Sequence, residues 1–237
     1  MTPSDPAGSR PPRDPDGGQL LLDFPRIDPD QRPLIETGSY AAALGALRRW
    51  KHWPGGQMAL VGDAFAGKTR LLSFWASDAN AALVTGEALA KAEIDEIAKL
   101  SVSALAIDDA DHPEAALGLL AALNLCRDRG APVLLSGRTQ PAGWFGRPLD
   151  LKSRLAAMPV AQIEAPDDET LAFRLREESA LRHLILPDES VAYLGNRMER
   201  SWAAVGRVAD QIERTPGRAE SLRSARAVLT GLGMDPG

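Results

Sequence analysis

Residues 62 to 69 read Gly62-Asp63-Ala64-Phe65-Ala66-Gly67-Lys68-Thr69, which fits G-x-x-x-x-G-K-[S/T] at every fixed position. A β-rich run, Met58–Val61, precedes this stretch, and a helical pattern over Lys68–Ala76 follows it. In that context the glycines let successive backbone N–H groups turn toward an anion, and the helix N-terminus adds partial positive charge. We predict a phosphate-binding loop; the alternative is a chance glycine-rich turn.

The side chains of this loop suggest how a nucleotide would be held. Lys68 would neutralise the β- and γ-phosphates, and the Thr69 hydroxyl would ligate Mg²⁺. The predicted nucleotide-binding residues of the loop and the helix after it are Gly62, Ala64, Phe65, Ala66, Gly67, Lys68, Thr69 and Arg70.

A second acidic element is expected for such a loop, at the end of a buried strand. The apolar run Ala104–Ile107 ends in Asp108 and Asp109. We predict that Asp108 binds nucleotide-associated Mg²⁺ through water and that Asp109 is catalytic, orienting an attacking water. The alternative is a strand that ends in a solvated Asp pair.

The chain around these motifs alternates between strand and helix patterns, which predicts an α/β fold with a parallel sheet covered on both faces. The five predicted strands are Met58–Val61, Ala82–Val84, Ala104–Ile107, Val133–Ser136 and Val160–Ile163. The predicted helices between them are Tyr40–Trp50, Lys68–Ala76, Ala92–Leu100 and Glu114–Arg129. Since Ala82–Val84 lies between the two motifs, we expect an extra strand between the phosphate loop and the acidic strand.

Past Pro166 the pattern is helical only. Helices are predicted to begin near Pro166 and near Pro187, and two more to cover Ser201–Arg214 and residues 218–232. We therefore divide the chain into a tail (residues 1–33), an α/β nucleotide-binding domain (34–165) and a small all-helical domain (166–237).

Composition excludes several classes of protein. The 237 residues are 44% hydrophobic and 25% charged, which is enough apolar material for a core. One cysteine and three histidines exclude a disulfide framework and a Cys/His metal cluster. A net charge of −5 gives no overall basic surface for nucleic acid, and there is no membrane-spanning or secretory stretch. We expect a cytoplasmic protein.

The tail contains eight of the eighteen prolines, and we predict that it is flexible. It is interrupted by an apolar hexapeptide, Gln19-Leu20-Leu21-Leu22-Asp23-Phe24. Such a segment suits either a partner's pocket or the surface of this protein's own core, as an edge strand or a helix-packing strip.

These features together resemble the AAA+ family and, within it, the bacterial replication initiator DnaA and its regulators. Beyond the phosphate loop and the Asp pair, the resemblance is carried by Leu151-Lys152-Ser153-Arg154-Leu155, which is similar to the initiator's arginine-finger segment. Leu186-Pro187, Tyr193-Leu194 and Arg197-Met198 resemble its helical lid. The similarity covers roughly residues 34–215 and implies a P-loop AAA+ domain followed by a lid.

Two departures narrow the resemblance. The 23 residues after Arg214 have room for one helix, so no helix-turn-helix reader and no direct sequence-specific DNA binding are expected. The hexapeptide is similar to peptides that dock on the replicase sliding clamp, the β subunit of DNA polymerase III. Its predicted partner-binding residues are Gln19 at the pocket rim and Leu20, Leu22 and Phe24 in the pocket.

This combination resembles the initiator regulators of the Hda (HdaA) type. The resemblance implies docking on the clamp and hydrolysis of the ATP bound to DnaA, with Arg154 supplied in trans as an arginine finger. Such a finger is worth on the order of 10³–10⁵ in rate. The alternative is a surface arginine that pairs with Asp150. A homodimer is one assembly that the resemblance allows.

The resemblance also implies a retained nucleotide, ADP rather than ATP, and weak or no ATPase activity by this chain alone. Gly137-Arg138 follows a strand where the family often has an acidic residue, and Ala203 stands where the lid has its sensor arginine. Arg200, one helical turn earlier, is the predicted substitute. Two other functions stay open, a self-sufficient AAA+ ATPase and a nucleotide-dependent adaptor that acts on another protein.

Overall fold

The computed structural model describes residues 38–217 and 219–234. The hexapeptide 19–24 and the predicted tail, residues 1–33, lie outside the described residues. Strands and helices alternate up to residue 162, and only helices follow in the described part of the chain.

The α/β fold with a five-stranded parallel sheet is confirmed. Neighbouring strands follow one another across the sheet in the order β2-β3-β4-β1-β5, and every pairing is parallel. The strands are β1 (Gln57–Val61), β2 (Ala82–Thr85), β3 (Leu105–Asp108), β4 (Val133–Gly137) and β5 (Val160–Gln162).

The position of the extra strand differs from expectation. The strand that separates β1 from the acidic strand β3 is β4, whereas β2 lies at the edge of the sheet. The burial of the two strands explains why β4, and not β2, lies between β1 and β3. All five residues of β4 are buried, whereas only Val84 is buried in β2. A fully apolar strand suits the interior of a parallel sheet, and a partly exposed one suits its edge.

Ten α-helices are described. The predicted helix over Ala92–Leu100 corresponds to a shorter one, Ile94–Lys99, because Ala92 and Glu93 are extended; the helix before it, Gly86–Lys91, was not predicted. The helices are α1 (Ala41–Arg48), α2 (Lys68–Ala79), α3 (Gly86–Lys91), α4 (Ile94–Lys99), α5 (Ala116–Arg129), α6 (Leu149–Ala157), α7 (Asp168–Leu181), α8 (Asp188–Gly195), α9 (Trp202–Arg214) and α10 (Leu222–Gly231). None of them is long and apolar enough to cross a membrane.

The sheet separates two apolar layers. Alternate residues of β1 face opposite sides, so Val61 packs in one layer and Leu60 in the other. The first layer includes residues of α5 and α6, and the second includes residues of α1 and α2. The carboxyl end of β1, where the phosphate loop begins, is thus held from both faces.

Helices α7 to α10 share a third apolar core. Helix α9 is joined to the α/β part by Trp202, which is buried in the second layer with its ring 5.1 Å from that of Tyr40. Trp202 Nε1 donates a hydrogen bond to the Glu164 carbonyl at 3.2 Å. These contacts place α7 and α9 opposite the phosphate loop.

Candidate nucleotide-binding site

The backbone of the loop after β1 can be formed only with glycine at its tightest point. Gly67 has φ +79°, and a Cβ there would lie 3.0 Å from the Tyr40 hydroxyl. At the start of the loop, a Cβ on Gly62 would lie 3.1 Å from the Ile163 side chain. The loop therefore curls tightly against Tyr40 and Ile163 before α2 begins at Lys68.

The Lys68 ammonium lies inside this curl. It donates hydrogen bonds of 2.9 Å to the carbonyls of Gly62 and Asp63, and the residue is buried. Burial lowers the pKa of Lys68, while the carboxylates of Asp109 and Asp108 act in the opposite direction. The structure thus holds a cation where the backbone has turned back on itself, as binding of a phosphate requires.

Thr69 and Asp108 are brought together as the sequence predicted. The Thr69 hydroxyl donates a 2.6 Å hydrogen bond to Asp108 Oδ2, and Asp108 is buried. A hydroxyl and a carboxylate are the oxygen ligands that Mg²⁺ prefers. No group of three or more His, Cys, Asp or Glu within the described ranges could hold a metal. The donor set therefore fits a Mg²⁺ ion that takes its other ligands from phosphates and water.

A fully buried serine, which the sequence analysis missed, completes this arrangement. Ser136, in β4, donates a hydrogen bond to Asp108 Oδ1 and accepts one from the Asp109 backbone N–H at 2.9 Å. Asp109 has φ +47°, an uncommon conformation for a non-glycine residue. Ser136 thus fixes the Asp108 carboxylate and the Asp109 backbone at the end of β3.

Asp109 lines a cleft together with Lys68 and Thr69. Its pKa is raised by burial and, to a smaller extent, by the neighbouring Asp108 carboxylate. The cleft has a volume of about 640 Å³ and lies between the phosphate loop and helices α7 and α9. That volume is within the usual range for small-molecule sites.

Two walls form this cleft. The residues that we call the loop wall are Ala64, Phe65, Gly67, Lys68, Thr69 and Arg70. The residues that we call the lid wall are Arg174, Glu178, Arg182, Ala203, Arg207 and Asp210. Cations thus face the space between the walls from both sides.

Four of the ten predicted nucleotide-binding residues are not among the described residues that line the cleft, namely Gly62, Ala66, Asp108 and Arg200. Ala66 is fully buried, and Phe65 has φ +66° with 69% of its surface exposed. The exposed side chain of Arg200 pairs instead with Asp168 at 2.8 Å. The prediction that Arg200 replaces the lid arginine is therefore not supported by its position.

Sequence reasoning missed the arginines of the lid wall. Arg207 lies one helical turn after Ala203, so following the helical period of α9 forward instead of backward would have found it. Arg174 and Arg182 belong to a stretch of mixed Arg and Glu that reads as a solvated helix face. Their burial depends on how α7 packs, which no local pattern encodes.

Arg154 lies in α6 and is not one of the described cleft-lining residues. Its Nη2 atom is 2.7 Å from Asp150 Oδ2, and its Nη1 donates to Asn124 Oδ1 at 2.8 Å. The pairing with Asp150, the alternative considered above, is therefore present. Arg138, beyond β4, lines the cleft, and its backbone N–H donates to Asp111 at 2.8 Å.

Known proteins resemble this chain in structure rather than in sequence. No protein-family model and no curated protein sequence matches it. Among solved structures, domain III of the Thermotoga maritima replication initiation protein DnaA matches with a TM-score of 0.66 and 21% identity. That match covers 83% of this chain and 94% of that domain.

Two longer proteins match with slightly lower scores. AMPPCP-bound DnaA from Aquifex aeolicus has a TM-score of 0.63 and 17% identity, over 84% of this chain and 69% of that one. The Thermotoga maritima RuvB Holliday junction branch migration motor has a TM-score of 0.58 and 16% identity, over 84% and 68%. The chain thus has a fold like those of DnaA domain III and RuvB.

Proposed function

We propose that this protein binds ADP or ATP with Mg²⁺ in the cleft and acts as an AAA+ regulator of the Hda type. In this role it docks on the replicase sliding clamp and promotes hydrolysis of the ATP bound to DnaA, which negatively regulates replication initiation. The observation that carries the nucleotide site is the convergence of Lys68, Thr69 and Asp108 at the end of the sheet.

Lys68, Thr69, Asp108 and Tyr40 each have a definite part in the proposed nucleotide binding. Lys68 exchanges its carbonyl partners for phosphate oxygens, and the backbone N–H groups before α2 surround the same phosphates. Thr69 and Asp108 hold Mg²⁺, which neutralises phosphate charge when bound. Tyr40, packed against Gly67, keeps the loop in its curled form.

The regulatory part of the proposal depends on Arg154. Its guanidinium belongs to α6 and is not among the described groups that line this chain's own cleft, which suits a group that acts on the nucleotide of another molecule. A planar guanidinium can contact two phosphate oxygens at once and stabilise the charge that develops during hydrolysis. Its ion pair with Asp150 is partly exposed and therefore weak enough to be exchanged.

Clamp docking is proposed from the sequence. Gln19, Leu20, Leu22 and Phe24 lie outside the described residues, and their pattern is similar to that of clamp-binding peptides. A short motif of this kind binds by filling a preformed apolar pocket.

A second candidate function is that of a self-sufficient ATPase acting on another protein. The position of Asp109 favours it, since this carboxylate lines the cleft next to Asp108 and could orient a water for hydrolysis in cis. The regulator would promote hydrolysis of the ATP bound to DnaA, whereas the self-sufficient ATPase would hydrolyse ATP in its own cleft.

The deciding experiment measures γ-phosphate release from DnaA loaded with labelled ATP, in the presence of DNA-loaded clamp and this protein. We would compare wild type with Arg154→Ala and with Lys152→Ala, which removes an exposed cation from the same helix. We expect stimulation by wild type and by the Lys152 variant, and a loss of at least about 100-fold with Arg154→Ala.

Turnover by this protein alone, together with no stimulation of DnaA, would replace the regulator by the self-sufficient ATPase. Clamp docking is tested separately by capture on immobilised clamp. Binding that is unaffected by Gln19→Ala and by the double change Leu22→Ala/Phe24→Ala would contradict the docking step.

A further inference from the structure

Behind the cleft, one largely buried carboxylate joins α2, the helix that follows the phosphate loop, to α7 of the lid wall. Arg70 of α2 has its Nη1 atom 3.2 Å from both carboxylate oxygens of Glu177 in α7. The same carboxylate accepts a 2.8 Å hydrogen bond from Nη1 of Arg174. Glu177 is thus shared by an arginine next to the nucleotide-binding Thr69 and an arginine of the lid wall.

The side chains of this triad are largely buried. The side chains of Arg70, Glu177 and Arg174 are only 11%, 12% and 11% exposed. Charges in such surroundings are screened little by solvent, and removal of one member leaves an uncompensated buried charge. The triad therefore differs from the exposed ion pairs elsewhere on α7, such as that between Arg176 and Asp188.

Two observations connect the triad to the cleft. Arg70 and Arg174 both line the cleft, while Glu177 is not one of the described lining residues. The Nε atom of Arg174 is also buried without a hydrogen-bond acceptor among the described residues. A ligand that brings acceptor oxygens or nitrogens into the cleft would meet an arginine whose hydrogen-bonding capacity is incompletely used.

We infer that Glu177 is a positioning residue that couples nucleotide binding to the placement of the lid. It holds Arg70 and Arg174 together, so that a nucleotide bound at the phosphate loop also orders α7 and, through their shared core, α9. This inference rests on the proposed binding of a nucleotide in the cleft.

Amide hydrogen exchange with and without ADP tests the coupling in the full-length protein. In wild type we expect ADP to increase protection of residues 62–69 and also of α7 and α9. In Glu177→Gln, at saturating ADP, we expect the protection of residues 62–69 to remain and that of α7 and α9 to be lost. Glu169→Gln, an exposed change on the same helix, should behave as wild type.

Calorimetric ADP affinities provide the second measurement. We expect Glu177→Gln and Arg70→Gln each to weaken ADP binding about tenfold. The double variant should bind no more weakly than Arg70→Gln alone, because both changes break the same contact between Arg70 and Glu177. Additive losses would mean that Glu177 acts independently of Arg70 and would overturn the inference. Glu177→Asp, which keeps the charge, should restore part of the affinity.

The outcomes separate the two proposals. If wild type binds no nucleotide, both the proposed function and this inference are overturned. If wild type binds ADP but α7 gains no protection, only the inference is overturned. That comparison needs no variant, so it holds even if Glu177→Gln fails to fold.

Discussion

The loop wall and the lid wall both present cations to the cleft, but they hold them by different means. On the loop wall, Lys68 is fixed by two backbone carbonyls inside a curl that only glycine can form. On the lid wall, Arg174, Arg182 and Arg207 are each held by a carboxylate, that of Glu178, Asp210 and Glu199 respectively.

This difference determines which side-chain contacts can change when a ligand enters the cleft. Backbone contacts fix the loop wall in advance, whereas ion pairs of the lid wall can exchange a carboxylate for a phosphate. We therefore expect the loop wall to supply most of the nucleotide affinity and the lid wall to adjust it. The four effects expected from this comparison range from a large loss of ADP affinity to a small gain in the free energy of unfolding.

The largest effect should come from Lys68→Ala. It removes a buried cation whose hydrogen bonds to phosphate would be charge-assisted, so ADP affinity should fall by about 100-fold or more. Isothermal titration calorimetry measures this, with Lys91→Ala, an exposed cation of α3, as the control. A loss of only a few-fold would mean that the loop wall is not the main source of affinity.

Ser136→Ala should mainly reduce stability. The change leaves a buried Asp108 oxygen and the Asp109 N–H without their hydroxyl partner, at a cost of about 2 kcal/mol. Denaturant unfolding would show this, beside Ser153→Ala, whose hydroxyl lies on the exposed surface of α6. We also expect a weaker Mg²⁺ dependence of ADP binding. An unchanged free energy of unfolding would show that Ser136 does not support the Asp108 carboxylate.

Arg207→Ala and Arg200→Ala form a matched pair on the lid side. Both arginines are exposed and paired with one carboxylate, but only Arg207 lines the cleft. Since half-exposed cations are screened by solvent, we expect Arg207→Ala to weaken ADP binding about threefold to tenfold, less so at high salt. Arg200→Ala should change it less than about twofold. The reverse order would restore Arg200 as the lid arginine.

The smallest effect is expected from Phe65→Gly. Phe65 has φ +66°, and glycine relieves that strain while adding freedom to the unfolded chain. The free energy of unfolding should rise by only about 0.5 kcal/mol, with ADP affinity unchanged, because this position binds through its backbone. Phe65→Ala keeps the strain and should not be stabilised. A large loss of affinity in both variants would assign a role to the ring.

The sequence predicted the loop wall well because its determinants are local. A few neighbouring residues of the loop motif determine both the need for glycine at position 67 and the start of α2 at Lys68. The apolar run before Asp108 likewise predicted the strand that brings this carboxylate beside Thr69.

The lid wall was predicted less well because its geometry is tertiary. The lid helices themselves follow from their apolar periodicity and from caps such as Asp167 and Ser201. Arg207 meets the cleft from within α9, whereas Arg200 precedes the start of that helix at Trp202. Ser136 was missed because a single serine in a buried strand has no periodic signature.

The order of the strands has a consequence for how the protein folds. The strand that leads into the phosphate loop lies between β4 and β5, which come from residues 133–137 and 160–162, while the next strand along the chain lies at the far edge. Pairings between distant segments form late and slowly during folding. On the ribosome, β1 therefore lacks both of its described neighbours until β4 and β5 have been synthesised, so the loop that follows β1 is flanked on both sides only after residue 162 has been added.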